Sequence, residues 1–77
     1  MRCFNGYTYT LTKYGRTPKV ETSYMADDEF DLIDMIRGFG YEIHTNVESD
    51  VPILVFGKHE NLDETSFIII DDFGEAK

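Results

Sequence analysis

The chain of 77 residues contains no tryptophan, one cysteine, two prolines and only seven lysines and arginines. Each shortage removes a class of protein. A lone Cys3 cannot form a disulfide within the chain, so the fold must stand without one, as suits a reducing compartment. The longest apolar runs, Val51 to Phe56 with Pro52 included and Phe67 to Ile70, fall far short of the roughly 20 residues that span a bilayer. The amino-terminal residues lack the apolar stretch and small-residue cleavage site of a secretion signal. A cytoplasmic protein without membrane contact is expected. Catalytic and metal-binding motifs are missing too: there is no CxxC, no HExxH, no P-loop and no GxGxxG. His44, His59 and Cys3 stand apart in the sequence and define neither a metal site nor a Cys–His nucleophile. No enzyme activity and no cofactor are expected. A chain this short folds as one domain, 1–77, with a thin core and little room for an enclosed substrate pocket.

What the chain has in excess is negative charge. The net charge is −8 and fifteen residues are acidic. The distribution is uneven. Residues 1–20 hold four cations and no acid, for +4, whereas residues 21–77 hold all fifteen acids against Arg37, Lys58 and Lys77, for −12. Such a field repels nucleic acid and anionic membrane and attracts basic proteins. Acidity also keeps small proteins soluble, so placement has to separate the two uses.

Hydrophobic periodicity predicts an α+β fold of order ββαβββ: an antiparallel sheet of about five strands with one helix packed on it. Residues 7–13 alternate strictly, with Tyr7, Tyr9 and Leu11 on one face and three threonines on the other. Tyr14 to Pro18 reads as a turn. Lys19 to Tyr24 returns as the second hairpin strand, with Val20, Thr22 and Tyr24 on one side. Asp27 is the expected N-cap of a helix running to about Phe39. Leu32, Met35, Ile36 and Phe39 form its buried stripe, Phe30 and Ile33 lie at the stripe's edge, and Gly38 and Gly40 stop it. Extended segments follow at Tyr41–Val47, Pro52–Phe56 and Ser66–Ile70, with a turn at Glu48–Asp50 and a polar loop from Gly57 to Glu64. The last strand is apolar enough to be covered on both faces.

Three acidic clusters are the candidate partner-binding residues. The first is Asp27, Asp28, Asp31 and Asp34, where spacings of three and four place Asp27, Asp31 and Asp34 in one row on a helix face. Acids favour a helix start through the macrodipole, which accounts for Asp27, Asp28 and Glu29 but leaves Asp31 and Asp34 repelling their neighbours. The second cluster is Glu60, Asp63 and Glu64, and the third is Asp71 and Asp72 with Glu75 beyond. Both also read as polar loop residues and as guards of an aggregation-prone strand. Neither has the alternating donors and central glycine of a calcium loop.

In size, acidity and the helix row Asp27, Asp31 and Asp34, the chain resembles the small acidic proteins with which phages disable host or defence proteins, DNA mimics among them. That resemblance implies a non-catalytic inhibitor in the host-cell cytoplasm that occupies the nucleic-acid site of a basic nucleic-acid-binding protein. A second reading is an immunity- or antitoxin-like or small regulatory module anchored by Tyr7, Tyr9 and Tyr24. Direct single-strand binding by the Tyr/Thr hairpin is opposed by the overall field. A homodimer that completes the thin core would double the acidic face.

Overall fold

A computed structural model describes residues 1–44 and 53–74. The order is β1 (Arg2–Thr12), β2 (Gly15–Arg16), β3 (Val20–Ala26), α1 (Glu29–Gly38), β4 (Glu42–Ile43), β5 (Leu54–Asn61) and β6 (Glu64–Asp72). All pairings are antiparallel, and the sheet runs β2–β1–β6–β5–β4 with β3 also on β1. The expected α+β architecture of an antiparallel sheet and one helix is present. Its strands number six, because the return strand of the first hairpin is broken in two.

The break follows from the sequence Thr17-Pro18-Lys19. The hairpin closes through Lys13 and Tyr14, with Thr12 paired to Gly15, rather than through the expected turn over Tyr14–Pro18. Gly15 takes a φ of 123° there, which few side chains tolerate. Thr12 Oγ1 holds the turn, donating to Gly15 O at 2.9 Å and accepting from Tyr14 N at 3.1 Å. Register then slips by one residue between Leu11↔Arg16 and Thr8↔Val20. The slip takes in Pro18, which has no N–H to give a ladder.

β1 begins at Arg2, five residues earlier than the alternation at Tyr7 suggests. Tertiary contacts keep it extended. The β1–β6 register shifts between Asn5 and Gly6, and Asn5 Nδ2 donates to Asp72 Oδ2 at 3.1 Å. A Cβ on Gly6 would sit on the carbonyl oxygen of Ile69, so glycine is what lets the two backbones close.

Alternation along the paired strands builds two unlike faces. Toward the helix lie Phe4, Ala26, Leu54, Phe56, Ile68 and Ile70, all buried, and Leu32 and Ile36 of α1 complete this core. Tyr7, Tyr9, Val55, Phe67 and Ile69 alternate onto the opposite face, which no described helix covers. Both faces of β6 are nevertheless shielded at Ile69, 8% exposed between Tyr7 and Val55.

Several boundaries differ from expectation. Phe39 is 55% exposed rather than part of the buried stripe, and Phe30 is 77% exposed. The helix ends at Gly38, so Phe39 has left the helical path. Its N–H bonds Ile36 O, and Gly40 N–H bonds Arg37 O, both at 3.0 Å. Of the two glycines only Gly40, at φ 96°, is left-handed. The polar segment Gly57–Glu64 is mostly strand, because β5 and β6 extend as a hairpin past the core, where both faces meet solvent. The turn expected at Glu48–Asp50, the strand start at Pro52 and Glu75 lie outside the described residues.

Gly6→Ala is expected to destabilise the fold by about 1–3 kcal/mol or more, since a backbone atom must move to admit the methyl group. Urea unfolding checks this. An unchanged midpoint would show that β1 and β6 do not close at this point.

Candidate functional site

The structure assembles the first acidic cluster at the start of α1. Asp28, and not Asp27, is the N-cap: its backbone is extended and its Oδ1 accepts from Asp31 N at 2.9 Å. The reason is that β3 continues through Ala26 paired to Arg2, which leaves Asp27 as the link between strand and helix. Starting at Glu29, the helix includes Asp31 in its first turn, so the macrodipole favours Asp31 as well as Glu29. Asp34 alone lies beyond that reach. Even so, the Asp31 carboxyl is held above its usual range, first by Asp28, then by desolvation, then by Asp27 and Asp34. Among the described residues, every charge acting on it is another carboxylate.

Most of the described cations are placed elsewhere. Five of the seven lie over aromatic rings: Arg2 over Phe4 at 5.0 Å, Lys13 over Tyr14 at 5.2 Å, Arg16 over Tyr9 at 5.5 Å, Lys19 over Tyr7 at 4.5 Å and Lys58 over Tyr41 at 5.7 Å. Each such contact is worth about 0.5–1 kcal/mol at an exposed site. Sequence reading registered the basic first twenty residues but not this pairing: Arg2 and Lys13 meet near neighbours in the chain, whereas Arg16, Lys19 and Lys58 reach their rings only through the fold.

The remaining candidate acids divide between the two ends of a molecule 42 Å long. Asp71 and Asp72 close β6 at the end where β3 leads into the helix, as the pairs Asn5↔Asp72 and Arg2↔Ala26 require. Glu60, Asp63 and Glu64 lie at the opposite end, around the β5–β6 tip, where Asn61 pairs with Glu64. Asp72 has a structural task of its own. It accepts from Gly74 N at 2.9 Å and from Asn5 Nδ2 at 3.1 Å, and these bonds hold its carboxyl below the usual range. The nine candidates therefore do not form one continuous patch.

The hairpin tyrosines separate in the same way. Tyr9 stacks on Phe67 with centroids 5.2 Å apart, and Tyr7 on Tyr9 at 6.3 Å. Tyr24 lies on the other face, packed against the core. The aromatic ladder is thus Tyr7–Tyr9–Phe67. Phe67 is missed in the sequence because only pairing brings β6 beside β1.

No arrangement suited to catalysis stands out among the described residues. They contain no group of three His, Cys, Asp or Glu side chains that could hold a metal ion, and no helix is long and apolar enough to cross a membrane. His59 Nδ1 meets Thr65 Oγ1 at 3.1 Å on exposed strand ends. An open groove of about 570 Å³ runs past Tyr7, Lys19, Glu21 and Asp72. The downward shift of Asp72 moves it away from the neutral range that a general acid or base needs. Tyr41, raised by desolvation and then by Glu60 and Tyr24, also moves away from neutrality. The chain matches no protein family, and no curated protein or solved structure is significantly similar to it.

Asp28→Ala should cost about 1 kcal/mol, or about 4–8 °C in melting temperature, as loss of an N-cap does, whereas Asp27→Ala should cost little. Asp31→Asn should raise the melting temperature at neutral pH, because it removes like-charge repulsion. The sign reverses nowhere but the gain fades with acid. The raised Asp31 carboxyl penalises the fold only when ionised, so the difference should vanish as pH falls through the range just above the ordinary aspartate value of about 3.9. Melting curves between pH 3 and pH 7, conditions that span that ordinary value of about 3.9, test it. A constant difference would locate the effect outside Asp31 ionisation.

Proposed function

We propose that the protein is a non-catalytic acidic binding protein of the cytoplasm that inhibits a basic nucleic-acid-binding protein by occupying its nucleic-acid site. One observation carries this reading. The charges that act on the exposed Asp31 carboxyl at the start of α1 are, among the described residues, all carboxylates, while the described cations are mostly turned to aromatic rings. Solubility requires only that charge be present. A repelling row has a local cost that a basic partner would relieve. The carboxylates of Asp31 and Asp34 stand about 5–6 Å apart on a rigid helix, with Asp27 and Asp28 just ahead of it, within reach of lysines and arginines that otherwise meet phosphates. Asp28 and Asp71 add charge at the same end of the sheet. Glu60, Asp63 and Glu64, at the far tip, would engage only a partner that spans the long axis. Binding of this kind is steered by charge and weakens with salt.

The aromatic ladder Tyr7–Tyr9–Phe67 supports a second reading, an immunity- or antitoxin-like module whose energy comes from a few aromatic anchors. The two readings differ in which residues matter and in how salt acts.

The test is capture of partners from lysate at low and high salt, followed by competition with duplex DNA. The expected partner is a basic nucleic-acid-binding protein that salt releases and DNA displaces. Asp31→Asn with Asp34→Asn should weaken that complex and flatten its salt dependence by up to about two charges' worth, leaving the fold intact. A complex indifferent to DNA and to these changes, but lost on Tyr7→Ala with Tyr9→Ala, would select the second reading.

A further inference from the structure

A sheet edge offers unpaired N–H and C=O groups, and soluble proteins guard such edges with short strands, proline, lysine or bulges. Two edges here are guarded. β4 has only Glu42 and Ile43, and β2 has only Gly15 and Arg16 before the Pro18 interruption. β3 is different. It runs seven residues in unbroken register along β1, from Arg2↔Ala26 to Thr8↔Val20, and no described strand pairs with its outer side. It contains no proline, lysine, glycine or bulge, and it exposes Val20 (61%) and Met25 (53%).

We propose that this edge pairs with the same edge of a second copy of the chain, antiparallel about a two-fold axis at Ser23. Charge selects both the partner and the register. The whole chain carries −8, but from Lys19 to Ala26 it carries one lysine and one glutamate, so repulsion between copies is least along this strand. With Ser23 opposite itself, Val20 meets Ala26, Glu21 meets Met25 and Lys19 meets Asp27, and all seven residues of β3 are paired. Centring the axis on Glu21 sets two glutamates face to face, and centring it on Tyr24 sets Glu21 against Asp27. Centring it on Thr22 leaves Ala26 beyond the opposing strand and loses the Lys19–Asp27 match. An axis normal to the sheet keeps both helices on the same side, so the dimer would carry two acidic helix starts above one continuous sheet. The inference goes beyond the proposed function and does not depend on it, because edge pairing needs no third protein.

Light scattering on the purified chain at tens of micromolar should give twice the 8.9 kDa of one copy. Met25→Glu places a carboxylate opposite Glu21 of the second copy and Met25→Lys places an ammonium there, two contacts per dimer in each case. The first change should weaken the dimer, and the second tighten it, by about two- to thirtyfold in dissociation constant. Met25 is exposed, so both variants should fold, and Met25→Lys alone suffices should Met25→Glu not fold. A mass of one chain at every concentration overturns the proposal. So does a dimer that responds to neither change, or to both in the same direction.

Discussion

The closure of β1 against β6 is the contact on which the rest of the structure depends. It joins the first strand of the chain to the last and makes one sheet of two hairpins. Without it, Phe4 would have no Ile68 and Ile70 beside it, and α1 would have half a sheet to cover. The constraint at its centre is steric. Gly6 and Ile69 approach so closely that a side chain at residue 6 would occupy the space of a backbone oxygen. Asn5 and Asp72 then tie the strands just beyond the register shift.

From that closure follows the division of the surface. A helix of ten residues is about 15 Å long, and the eleven residues of β1 extend about 36 Å. The helix therefore covers only part of one face, and both hairpins project past it. On the uncovered face the aromatic ladder and its overlying Lys19 and Arg16 take the place of a second layer. Directing cations to rings separates the charges: the Asp31 carboxyl at the helix start is acted on, among the described residues, by other carboxylates. Electrostatics and packing are thus linked through the strand pairing, although the residues involved lie far apart in sequence.

The elements that rest on local periodicity were legible in the order of residues alone. The alternation of Tyr7, Tyr9 and Leu11, the hairpin with its opposite face at Val20, Thr22 and Tyr24, and the helix with Leu32 and Ile36 inward all appear as patterns of period 2 or 3.6, and all are present. The grouping of Asp27, Asp28, Asp31 and Asp34 was legible for the same reason, since helical spacing is local. Whatever depends on a partner distant in the chain was settled by the fold. Asn5-Gly6 lies inside a strand because Ile69 needs the room. Phe67 joins the tyrosines and Tyr24 leaves them because register assigns their faces. Asp28 caps the helix in place of Asp27 because β3 stays paired through Ala26. The polar residues Lys58 to Asn61 are strand because β6 pairs beside them. In each case a backbone ladder or a close approach outweighed local propensity, and neither leaves a mark within a short window of sequence.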